Sequence, residues 1–204
     1  MKKWQCYLIL ASAMGLSACS VMTEKECQVA NWYDLGFTDG AAGHTVNAFS
    51  ERAEDCAKHG IGADRASYLQ ARQEGLKTYC TKENGYREGA SGRPYRGVCD
   101  SHSAKQFLPA YQKGKRLYEK KSAVATLERK IQDLDRDIDK HNNDKYRLKK
   151  QVINESDKGK RANIILDLER INREIIKLKA KKVQLQLKQK VAEKQLQYFK
   201  NVAL

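Results

Sequence analysis

Six cysteines and four histidines are the residues best equipped for chemistry in this sequence, and their spacing narrows what that chemistry is. Cys56-Ala-Lys-His59 and Cys99-Asp-Ser-His102 are both Cys-x-x-His, and two such pairs could complete a tetrahedral zinc site. That choice would strand Cys27 and Cys80, which would then pair or stay free. The competing outcome is oxidation. Cys27, Cys56, Cys80 and Cys99 form an even set, and two disulfides are the natural reading in an oxidising compartment. Four cysteines allow three connectivities. Cys27–Cys56 with Cys80–Cys99 is the expected one, because sequence neighbours close short loops and leave two tandem units. Each bridge should stabilise by about 3 kcal/mol on the loop-entropy account. Asp34, Asp39 and His44 could gather around one helix end as an acid–base cluster, although caps and surface roles are commoner for such residues. No Gly-x-Ser-x-Gly, His-Glu-x-x-His or phosphate loop is present. The reading therefore assigns no catalytic residue, no metal and no cofactor. Its rival is a small periplasmic hydrolase or redox protein.

Cys19 has a different chemistry. Lys2 and Lys3 open a signal-like segment, and the apolar stretch from Trp4 to Gly15 is too short for a stable bilayer span. It ends in Leu16-Ser17-Ala18-Cys19, the lipobox pattern, in which small residues fit the signal peptidase and the thiol accepts diacylglycerol. Lipidation at Cys19 would meet the two-signal requirement for stable anchoring. Expected segments are thus a signal peptide over 1–18 and a lipidated linker over 19–25. Ser20 after the cysteine, rather than Asp, points to the periplasmic face of the outer membrane.

Beyond the linker, composition changes once. Residues 113–204 carry 26 Lys and Arg against 13 Asp and Glu, a net +13, whereas residues 4–112 carry 11 against 12. Eleven of thirteen glycines lie between Gly36 and Gly114. The boundary read from these shifts lies near Tyr118, with a compact helical domain over 26–118 and a basic tail over 119–204. The first part holds a weak repeat of an aromatic, a small residue three on and a glycine seven on. Its copies are Tyr33/Gly36/Gly40, Tyr68/Ala71/Gly75 and Phe107/Ala110/Gly114, with a partial copy at Tyr86/Gly89. On a helix those positions share one face, placing an aromatic knob above a flat strip where backbones can approach. Asn31 and Asp64 read as helix starts, and Gly60-Ile61-Gly62, Asn84-Gly85 and Gly92-Arg93-Pro94 read as turns.

The ordered set Glu26-Cys27, Ala30-Asn31-Trp32-Tyr33, Leu35-Gly36, Asp39-Gly40 and Cys56-Ala57-Lys58-His59-Gly60 begins a longer pattern. It continues through Asp64, Tyr68, Gly75-Leu76, Tyr79-Cys80-Thr81, Asn84-Gly85-Tyr86, Gly89, Gly92, Tyr95 and Val98-Cys99 to Phe107, Ala110-Tyr111, Gly114 and Leu117-Tyr118. Over roughly residues 26–118 this resembles a family of small proteobacterial lipoproteins known only as a domain of unknown function. The resemblance implies a helical, cysteine-bridged periplasmic domain and brings no activity or cofactor. Asp100 stands where the resemblance implies a proline, and Pro109 in the last motif argues against a straight helix there.

The tail alternates apolar residues at three and four: Val124, Leu127, Ile131, Leu134 and Ile138, then Leu148 and Val152 after a polar gap at His141 and Lys145. The pattern restarts after a polar turn at 154–160 with Ile164, Leu168, Ile171, Ile175 and Leu178. An antiparallel helical hairpin, a coiled coil, is the expected form. The fold class is therefore all-α, with short disulfide-bridged helices followed by a long hairpin. Ile165, Ile176, Val183, Leu187 and Val191 widen the second stripe beyond a two-helix seam. Either the arm folds back over the domain or a further helix joins it from a second copy (a homo-oligomer) or a partner, the latter being slightly favoured. The lysine-rich face suits an anionic envelope polymer or an acidic protein, and export argues against nucleic acid. Cys19→Ala should leave the chain unlipidated and released from membranes in detergent-free fractionation; a variant still held there in high salt would refute the anchor.

Overall fold

The computed structural model describes residues 22–203, so Cys19, the lipobox and the signal-like segment lie outside the described residues. The fold is all-helical, with two disulfides and a long helical C-terminal region. The order is α1 (Glu24–Gln28), α2 (Trp32–Ala41), α3 (Asn47–Lys58), α4 (Arg65–Tyr79), α5 (Lys82–Ala90), α6 (Ser101–Asn154) and α7 (Lys158–Ala203). Side chains start most of them. Thr23 and Glu26 form a reciprocal capping box on α1, Asn31 accepts from the Tyr33 and Asp34 amides, and Thr81 accepts from Asn84 N–H. Asp100 accepts from the His102 and Ser103 amides at 2.8 and 2.9 Å and so starts α6.

The chain divides into two compact units between Thr78 and Tyr79. Tyr118, where composition changes, lies inside α6, which runs unbroken from the glycine-rich part into the basic tail. In the first unit, Trp32, Phe49 and Tyr68 pack with Met22 and the Cys27–Cys56 disulfide, whose alpha carbons are 5.4 Å apart. In the second, the rings of Tyr79, Tyr95 and Tyr111 surround fully buried Phe107 with centroids 5.0–6.1 Å away. The Tyr111 hydroxyl accepts from Tyr95 N–H and donates to the Arg93 carbonyl, and Cys99 N–H donates to the Tyr95 hydroxyl. These bonds fasten the segment before Cys99, which is joined to Cys80, onto α6.

Each unit contains one pair of helices in backbone contact. A methyl group on Gly36 or Gly40 of α2 would lie 2.2 Å from the Tyr68 or Arg72 carbonyl oxygen of α4, and one on Gly75 would strike Phe37. In the second unit Gly85 and Gly89 of α5 meet the Phe107 and Tyr111 carbonyls of α6, while Gly114 meets Tyr86. The repeat is therefore a helix pair: glycines four apart on one helix face an aromatic and a glycine seven apart on the next. Tyr68 and Phe107 are the buried knobs, whereas Tyr33 is 39% exposed and Lys82 takes its place in α5. Asn84-Gly85 is accordingly not a turn; both residues are buried inside α5, where glycine serves close approach rather than chain reversal. Pro109 does not interrupt α6 either. Its side chain is exposed, and the one α-helical bond it removes, to the Lys105 carbonyl, lies on that exposed side.

From there α6 and α7 form an antiparallel hairpin, about 80 and 70 Å long at 1.5 Å per residue. Glu155-Ser156-Asp157 turn the chain, with Arg161 donating to the Glu155 carbonyl and Asp157 accepting from Lys160 N–H. Ile131, Leu134, Ile138, Ile171 and Ile175 are buried in the seam. Polar interruptions are handled unevenly: Lys182 pairs with Asp135 across the seam, while buried His141 Nδ1 has no hydrogen-bond partner. Gly89→Ala should destabilise by about 2–3 kcal/mol through overpacking, and Gly62→Ala, with nothing within 4 Å, by less than about 0.5 kcal/mol. Urea unfolding of the full chain, followed by circular dichroism, measures both.

Candidate functional site

The densest polar cluster sits in the first unit and centres on Asp39, whose side chain is only 3% exposed. Its carboxylate receives both Arg52 nitrogens, the Tyr68 hydroxyl at 2.5 Å and His44 Nδ1 at 3.1 Å. Arg72 adds a second tie by donating to the His44 carbonyl at 3.1 and 2.6 Å. Helices α2, α3 and α4 each contribute a member, because glycine packing brings Asp39 of α2 within reach of Tyr68 on α4. Burial alone would raise the Asp39 carboxyl, but hydrogen bonds from Arg52, Tyr68 and His44 outweigh it and hold the group below its ordinary value. Burial, then the bond to Asp39, push the Tyr68 hydroxyl far upward, so it remains a donor.

Of the sequence candidates, Asp39 and His44 meet here and Asp34 does not. Asp34 lies at the start of α2, where Asn31 donates to it at 2.6 Å. Arg52, Tyr68 and Arg72 were not among the candidates; only Tyr68, as the aromatic of a repeat copy, carried a signal. The cluster is chemically closed. All four of its donors point at one carboxylate, which has no lone pair left to orient a substrate. The two Cys-x-x-His pairs do not assemble either. Their cysteines are bonded to Cys27 and Cys80, and His59 instead lies 4.0 Å from a Glu24 oxygen. Among the described residues no group of three metal-ligating side chains converges.

Two surfaces of the second unit have binding character. A hollow of about 600 Å³ lies between α5 and α6, lined by Lys82, Lys105 and Lys113 with Glu83 and an apolar floor of Tyr86 and Pro109. The larger surface is the hairpin, which carries most of the excess positive charge. Six of the thirteen acidic residues in 113–204 form ion pairs among the described residues: Asp133 with Arg136, Asp144 with Arg147, Asp167 with Arg170, Glu169 with Arg173, Glu174 with Lys177 and Asp135 with Lys182. Lys179, Lys181, Lys188 and Lys190 stand exposed on α7 and make no ion pair.

Residues 31–116 match the family described as "Protein of unknown function (DUF2799)". The matched stretch begins at the Asn31 cap of α2 and ends just after Gly114, so it takes in both glycine-packed helix pairs and stops before the hairpin. The matched stretch lies within the span of roughly 26–118 over which the sequence resembles such a family. No curated protein and no solved structure matches the chain significantly.

The Asp39 cluster generates a pH prediction. Because the folded-state value is lowered, its stabilisation is complete above the unfolded value of about 3.9 and is lost as pH falls through the folded value. Asp39→Asn should cost about 3 kcal/mol at neutral pH by leaving Arg52 unpaired, and the gap to wild type should shrink below about pH 4. Urea midpoints of both proteins across that range check the sign.

Proposed function

We propose that the chain is a non-catalytic lipoprotein, anchored through Cys19 at the periplasmic face of the outer membrane, whose basic hairpin engages an anionic component of the envelope. The observation that carries this reading is the segregation of charge: net +13 falls within residues 113–204, while residues 4–112 are near neutral. A chain needing charge only for solubility could spread it over both parts. Here it is concentrated on the long helical arm, where 26 Lys and Arg outnumber 13 Asp and Glu, which leaves a cationic rod. Lipopolysaccharide phosphates and peptidoglycan carboxylates are the anionic polymers within reach of such an anchor. The closed Asp39 cluster favours this reading over a hydrolase, because its carboxylate is committed to holding three helices together.

Contacts of this kind weaken with salt, since exposed charges are screened beyond about 8 Å at physiological ionic strength. The chain from Ser20 onward, which contains every described residue, should bind purified lipopolysaccharide or peptidoglycan at low salt and release it as salt rises. Replacing Lys177, Lys179, Lys181 and Lys188 by Gln should weaken that binding about tenfold. Equal binding by the variant, or none by the wild type to either polymer, would refute these polymers as the ligand of the basic face.

A further inference from the structure

Helix α7 has two apolar faces, and α6 covers only one. Opposite the seam, Ile165, Ile176, Val183, Leu187, Val191 and Tyr198 are 43, 68, 55, 60, 56 and 71% exposed. At about 100° per residue these six fall within an arc of roughly 80°, and the stripe they form runs about 50 Å along the helix. Lysines border both edges. Lys177, Lys181 and Lys188 lie along one, Lys179 and Lys190 along the other. Lys194 is the one lysine inside the stripe, where its long stem can cover apolar surface while the ammonium reaches outward. Glu169 and Arg173 also lie inside it, between Ile165 and Ile176, and pair with each other at 3.8 Å.

We infer that this face of α7 lies on an anionic lipid surface, with the aliphatic side chains entering the headgroup boundary and the flanking lysines meeting lipid phosphates. The inference rests on the envelope location proposed above and names the lipid surface as one anion the basic arm meets. Charge complementarity selects the occupant. Two copies pairing stripe to stripe would oppose helices that each carry 13 Lys and Arg against 4 Asp and Glu. A soluble polyanion would satisfy the lysines but leave the aliphatic residues in water. A bilayer rich in anionic lipid answers both demands along the stripe, the pattern of an interfacial amphipathic helix. Among the described residues no helix is long and apolar enough to cross a membrane, so α7 would lie along the surface.

Flotation of the chain from Ser20 onward with phosphatidylglycerol vesicles and with phosphatidylcholine vesicles tests the inference. Binding is expected to the former and not to the latter. The triple variant Ile176→Gln, Val183→Gln, Leu187→Gln changes only exposed side chains and should keep the wild-type unfolding midpoint. It should lose about tenfold in affinity for phosphatidylglycerol vesicles, while salt-sensitive binding to peptidoglycan stays at the wild-type level. Undiminished vesicle binding by the variant overturns the inference, as does absence of wild-type binding to phosphatidylglycerol. A wild-type dimer in sedimentation that the variant abolishes also overturns it, assigning the stripe to a second copy. Vesicle binding without polymer binding would reject the polymer ligand and leave the lipid face standing.

Discussion

Backbone-to-backbone contact between helices is the constraint from which the rest of this structure follows. A Cβ on Gly40, Gly75, Gly89 or Gly114 would sit 2.1–2.2 Å from a carbonyl oxygen of the facing helix, so only glycine admits the observed approach. Glycine costs about 1 kcal/mol per helical position, and the helices that carry it are poor helices by propensity. The cost is offset by what close approach permits: full burial of Tyr68 and Phe107, and rings gathered around each. A disulfide then closes each unit within itself. The family match covers both glycine-packed pairs and ends before the hairpin.

The Asp39 cluster depends on the same contact. Asp39 is one residue before Gly40, and the glycine lets α4 come near enough for the Tyr68 hydroxyl to reach the buried carboxylate. A charge so placed is stable only because Arg52 neutralises it and every acceptor site is used. What looks in sequence like an acid–base set is therefore a polar staple between helices. The second unit holds its corresponding helices differently, with Asn84 donating to the Tyr79 carbonyl and Tyr111 fastening the segment before Cys99.

The hairpin obeys another rule. Its seam is ordinary aliphatic packing of Ile131, Leu134 and Ile138 against Ile171 and Ile175, and no glycine is involved. Two polar residues enter the seam with opposite results: Lys182 finds Asp135, and His141 leaves a buried nitrogen without a partner. Because α6 belongs both to a glycine-packed pair and to the hairpin, the basic arm is a continuation of the scaffold helix.

Periodicity and residue type determined a good deal alone. All-helical class, the caps at Asn31 and Asp64 and a turn between Asn154 and Lys158 were legible, because each depends on local chemistry or on spacing along one helix. Two disulfides were legible from an even set of cysteines in which sequence neighbours pair. The division between Thr78 and Tyr79, the helical placement of Asn84-Gly85 and the continuity of α6 past Pro109 were decided by tertiary structure. A glycine reads the same in sequence whether it frees a turn or admits a neighbouring backbone, and only the neighbour distinguishes the two. Likewise Asp39 carries no mark of its partners, since Arg52 and Tyr68 are 13 and 29 residues away and reach it only after three helices have packed.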